Sequence, residues 1–88
     1  MLKKDYILTN TNGLTSRISS NIVSFANRFN SFITLTHKEE VANLKSIMNV
    51  MALIIKCNES FSISCTGEDE KEAMESIDIY LRNLDIVK

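Results

Sequence analysis

Apolar residues recur along this chain with two different periods, and the switches between them mark out the elements. From Leu2 to Thr9 the pattern is that of a strand with Tyr6 and Leu8 on one side, closed by the turn-forming run Asn10-Thr11-Asn12-Gly13. The period then becomes helical. Ile18, Ile22, Phe25, Ala26 and Phe29 recur at three- and four-residue steps, with Ser19, Ser20, Ser24 and Asn27 assigned to the opposite, polar side. Alternation returns at Ile33, Leu35 and His37, which interleave with Thr34 and Thr36. After the charged turn Lys38-Glu39-Glu40 a short strand at Val41 to Asn43 completes a hairpin.

The second half repeats the scheme. Ser46 opens a short helix, and Lys56-Cys57-Asn58-Glu59 forms a turn. Phe61, Ile63 and Cys65 then alternate with Ser62, Ser64 and Thr66, the cleanest strand signal in the chain. Beyond Gly67, Asp69 with Glu72 three residues on reads as a capping box, and Ala73, Ile77, Tyr80, Leu81 and Leu84 form an apolar stripe. Acidic residues crowd the first turn of this last helix and Arg82 lies near its end, in keeping with the helix dipole. The order is strand, helix, strand, strand, helix, strand, helix. With connections this short, the economical packing is an α+β fold: one four-stranded, mostly antiparallel sheet covered on one face by three helices. No repeat, proline or Gly/Ser-rich linker interrupts it, so residues 1–88 are expected to form a single domain.

Composition narrows the function. Ten Lys and Arg stand against 11 Asp and Glu in 88 residues, which gives no basic excess to drive direct binding to nucleic acid or an anionic membrane. No apolar run approaches the ~18 residues that span a bilayer, and the first residues lead into no signal core, so a cytoplasmic location is expected. Cys57 and Cys65 form neither a CxxC pair nor a metal-ligand spacing, and the one histidine, His37, ends a strand pattern as packing or surface residues commonly do. No nucleophile, acid or base constellation suggests an enzyme, and no metal or cofactor is implied.

Two helix starts hold the remaining signal. Ser46 precedes Ile47-Met48-Asn49-Val50-Met51; at 100° per residue Ile47, Met48 and Met51 share one arc, while Val50 and Leu53 lie on another. Such residues are either core filler or a second, exposed apolar face. Ser46 itself is either a plain cap contributing about 1 kcal/mol or a modifiable hydroxyl. Gly13-Leu14-Thr15-Ser16-Arg17 forms the other start: a glycine turn, a capping hydroxyl, and an arginine at the positive end of a helix, a modest anion site.

Together these segments resemble the HPr family of the bacterial sugar phosphotransferase system, over nearly the whole chain. Asn43, Leu44, Lys45, Ser46, Ile47, Met48, Val50 and Met51 match the family pattern, and Asn49 departs from it where glycine is usual. The resemblance implies the HPr-like open-faced β-sandwich, in the order βαββαβα. It implies that Ser46 is the target of HPr kinase/phosphorylase and that Ile47, Met48 and Met51 form a docking patch. At the position of the family's phosphorylated histidine stands Thr15, and Ser16 and Ile18 replace the usual alanine and proline, whereas Arg17 is kept. A threonine phosphate ester is too stable to pass its phosphoryl group on. The chain is therefore most similar to the histidine-lacking, catabolite-repression (Crh-type) members. The implied partners are the kinase and a LacI/GalR-type catabolite regulator, with Thr15, Ser16 and Arg17 retained for anion or partner contacts and enzyme I of the phosphotransferase system as a further partner. The alternatives are a phosphocarrier and an unmodified competitor for HPr-binding partners.

Overall fold

Alternation in the strands sorts their side chains cleanly between two faces. In the computed structural model, which describes residues 1–88, β1 spans Leu2–Ile7, β2 Phe32–His37, β3 Glu40–Asn43 and β4 Ser60–Thr66. They form one sheet in the order β1-β4-β2-β3, with every neighbouring pair antiparallel. The register places Tyr6 opposite Phe61 and Leu35 opposite both Ile63 and Ala42, so these side chains share the buried face. Thr34, Thr36, Ser60, Ser62 and Ser64 take the other face. Against the apolar face pack α1 (Ser16–Ala26), α2 (Ile47–Met51) and α3 (Glu70–Asn83), giving the open-faced sandwich expected from the pattern. No helix is long and apolar enough to cross a membrane.

Several local expectations are corrected. The first strand ends at Ile7, and Leu8 forms only an isolated bridge to Val87. The buried stripe of α1 is Ser19, Ile22, Val23 and Ala26, and Ile18, Phe25 and Phe29 are only its half-buried flank. Ser19, assigned to the polar side, is wholly buried and its hydroxyl has no hydrogen-bond partner. The large side chains had drawn the stripe toward themselves; a small residue at the closest approach of the helix to the core is what packing requires. The capping box at Asp69 does not form either. The Asp69 carboxylate instead accepts from the amides of Asn30 and Ser31, at 2.8 Å each, and from the Ser31 hydroxyl, pinning the loop before β2 to the start of α3. The Ser31 hydroxyl foremost, with these amides, holds the Asp69 carboxyl below the usual carboxylate range.

The β2–β3 hairpin turns on two residues, Lys38 and Glu39, both at positive φ (48° and 70°), as in a type I′ turn. The turn is made without glycine or asparagine. Glu59 supports it: its carboxylate lies 2.8 Å from the Lys38 ammonium and 3.1 Å from Nε2 of the buried His37, and accepts from the Lys56 amide at 2.8 Å. The Lys38 contact first, then the Lys56 amide, lowers the Glu59 carboxyl to about 2. At the other edge of the sheet, Asp78 of α3 accepts from the Tyr6 hydroxyl at 2.7 Å and lies 3.6 Å from Lys4, tying β1 to the helix above it.

Candidate functional site

The start of α1 is shaped by a turn only glycine fits. Gly13 has φ of 73°, and a Cβ there would lie 2.7 Å from the Ile55 carbonyl oxygen. That proximity lets the Leu14 amide donate to the Ile55 carbonyl at 2.9 Å, so the loop before α1 is fastened to the segment after α2. Thr15 follows in an extended conformation as the N-cap, its Oγ1 accepting from the Ile18 amide at 3.2 Å. Ser16 and Arg17 are exposed, and Arg17 belongs to none of the ion pairs. Thr15, Ser16 and Arg17 thus lie together at a helix N-terminus whose amides and guanidinium favour negative charge.

The start of α2 uses the same device. Ser46 caps it, Oγ accepting from the Asn49 amide at 3.4 Å, while the Asn43 side chain accepts from the Lys45 amide at 2.9 Å to square the turn before it. Val50 (1% exposed) and Leu53 (8%) anchor the helix to the core. On its other side Ile47, Met48 and Met51 are 39, 81 and 40% exposed. The two arcs read from the sequence are therefore two physical faces, one buried and one open to solvent.

The two sites are adjoining ends of one surface. Asn27, at the end of α1, donates from Nδ2 to the Lys45 carbonyl at 3.2 Å, just ahead of Ser46, and the Leu14–Ile55 bond joins the start of α1 to the far side of α2. The helices consequently run past one another in opposite senses. The apolar residues of α2 fill the strip between the Ser46 hydroxyl and the Thr15 turn. One further residue lies on this strip: Ile54, 71% exposed. Within the run Leu53-Ile54-Ile55 it reads as core; only its backbone angle, φ of 48°, turns it outward.

The remaining candidates lie elsewhere in chemistry. His37 is buried (5% exposed) against Glu59 as a structural group. Cys65 is buried and its thiol pushed up by desolvation, and Cys57 is half-buried; neither is paired. No group of three or more His, Cys, Asp or Glu side chains is placed to hold a metal ion.

Residues 2–83 match the family model described as the PTS HPr component phosphorylation site. The chain belongs to the HPr family. It is 40% identical over 77 residues to phosphocarrier protein HPr of Mycoplasma capricolum, spanning 88% of this chain and 86% of that one. Against phosphocarrier protein HPr of Xylella fastidiosa it is 35% identical over 83 residues, 94% and 93% of the two chains. Among solved structures it superposes on a mycoplasma histidine-containing phosphocarrier protein with a TM-score of 0.94 at 34% identity, covering 99% of each chain. With Bacillus subtilis Crh, the catabolite-repression protein solved as a domain-swapped dimer, the TM-score is 0.73 at 31% identity, over 94% of this chain and 95% of that one. The open-faced sandwich is therefore the family fold.

Proposed function

We propose that this protein is a regulatory member of the HPr family, switched at Ser46 by HPr kinase/phosphorylase and docking in its phosphorylated form on a LacI/GalR-type catabolite regulator. The observation that carries this reading is the pairing of a capping hydroxyl at Ser46 with the exposed apolar face of Ile47, Met48 and Met51 directly after it. Phosphate on Ser46 would add up to about two negative charges at the positive end of α2, where they are tolerated by the fold. Its effect would then fall on the surface, with phosphoserine, Arg17 and the three apolar side chains forming the interface. Repression would be strengthened without contact between this protein and DNA.

Thr15 supports the same reading. By the resemblance it stands where the family carries its histidine, and its hydroxyl is engaged as a helix cap. A phosphohistidine transfers because its P–N bond is labile; a threonine ester is not. The test is to treat the protein with HPr kinase/phosphorylase and ATP and record its intact mass beside Ser46→Ala. One added phosphate in the wild type, none in the variant, and regulator binding only after phosphorylation are expected. An unchanged affinity for the regulator after kinase treatment would sink this mechanism.

A second reading, a phosphocarrier acting with enzyme I, is favoured by the names of the curated relatives, both phosphocarrier protein HPr. It requires acid-labile phosphate on this chain after incubation with labelled phosphoenolpyruvate and enzyme I. The regulatory reading requires none. Thr15→His then reports on the surroundings: transfer gained by that variant shows that the carrier docking surface is intact.

A further inference from the structure

Ile54 is the one large side chain in the molecule that both backbone and packing disfavour. A β-branched residue at φ of 48° is a steric outlier, since Cβ and its two substituents crowd the neighbouring carbonyl; glycine or asparagine is the usual occupant of such a position. Burial does not offset the strain, because the side chain is 71% exposed. Lys38, Glu39, Asn58 and Asp85 share positive φ, but each is polar and suited to a solvent-facing turn. Ile54 alone is apolar, and its contribution is not to the fold.

Its surroundings say what it contributes. Ile54 and Met51 form one wall of a cleft of about 520 Å³, with the Thr11–Leu14 turn opposite and Ile55, Lys56 and Cys57 completing the lining. The cleft is continuous with the exposed face of α2 through Met51. Its only charged lining residue is Lys56, and Arg17 stands unpaired a short way along the chain from Leu14. An apolar groove with a positive rim fits an apolar side chain presented from a surface that carries carboxylates.

The geometry points to Ile54 as a specificity-determining anchor that extends the α2 docking face into this cleft and receives an apolar side chain of an acidic-rimmed partner protein. This rests on the docking reading above and adds a residue to it. The experiment is to measure, by calorimetry, binding of the wild type, Ile54→Gly, Ile54→Asn and Met48→Ala to HPr kinase/phosphorylase and, after phosphorylation of Ser46, to the LacI/GalR-type regulator. Melting temperatures are recorded in parallel. Both Ile54 variants should raise Tm by about 3 °C, because glycine and asparagine accept left-handed backbone, while weakening binding at least tenfold. Gain of stability with loss of affinity is the signature, since a residue that serves the fold would move both the same way.

Unchanged affinity in the Ile54 variants, with loss in Met48→Ala, overturns this inference and leaves the docking reading standing. A lowered Tm overturns it by returning Ile54 to the fold. Affinity kept by asparagine but lost by glycine shows that apolar contact is not the determinant, and also overturns it. If the wild type binds neither protein, the docking reading itself has failed and the anchor falls with it. Self-association of the wild type, lost in Ile54→Gly, would put a second copy in the cleft and overturn the partner assigned here.

Discussion

The hydroxyls of Thr15 and Ser46 do the same local work in different company. Each caps a helix by accepting from the amide three residues on. The helix that Thr15 opens has 11 residues and turns a buried stripe to the core, whereas that of Ser46 has five, held by Val50 and bare on its outer side. Capping energy alone therefore does not distinguish a structural hydroxyl from a switch. What distinguishes them is the next turn of chain: a short helix that needs little of its own surface for the core leaves the rest for a partner, and a charge added at its start lies beside that surface.

The sharpest way to break this comparison is to cut the strut that joins the two sites. Gly13→Ala places a methyl 2.7 Å from the Ile55 carbonyl at a φ of 73°, so it should cost about 2 kcal/mol or more, seen as a fall in Tm of ~10 °C. A Tm within a degree of wild type would mean that the two helix starts are independent.

Smaller effects compare the caps directly. Thr15→Ala should cost about 1 kcal/mol in denaturant unfolding and Ser46→Ala about half that, because the Ser46 bond is longer, 3.4 against 3.2 Å, and serves a shorter helix. Equal losses would make the Ser46 helix a structural element of the same rank as α1.

The least of the effects concerns the turn below α2. Glu59 has its folded-state carboxyl near 2, below the ordinary value of 4.5, so in the range between these the unfolded chain binds more protons. Stability supplied by Glu59 is full above about pH 4.5 and is lost as pH falls through 2. Glu59→Gln should flatten this acid limb in urea unfolding followed from pH 5 to 2, and a limb of unchanged slope would assign acid sensitivity to Asp69 and Asp78, whose carboxyls are also lowered.

The elements were legible in the chain because each depends on its own periodicity: the Phe61-Ile63-Cys65 alternation gave β4, and the two arcs after Ser46 gave both faces of α2. What escaped depends on contacts between distant segments. Asp69 has the spacing of a capping box, but the amides of Asn30 and Ser31 compete for its carboxylate, and nothing near Asp69 announces them. Ser19 looked polar until the packing distance of α1 was known. Ile54 carries no local sign of its conformation; a bulky apolar residue between Leu53 and Ile55 reads as core, and only the backbone shows that it is turned outward. For the site, the pattern located both hydroxyls, while their placement at the two ends of one apolar strip depends on the Asn27–Lys45 and Leu14–Ile55 bonds.

The strand order has a consequence in time as well as space. Leu2 is paired with Cys65, so the first segment to leave the ribosome has no partner until most of the chain has been made. The β2–β3 hairpin and the helix before it can organise early from neighbouring sequence, but the sheet closes only when β4 arrives between β2 and β1. Birth of this protein is thus a late, nearly single event, with β1 waiting as an unpaired strand through most of its synthesis.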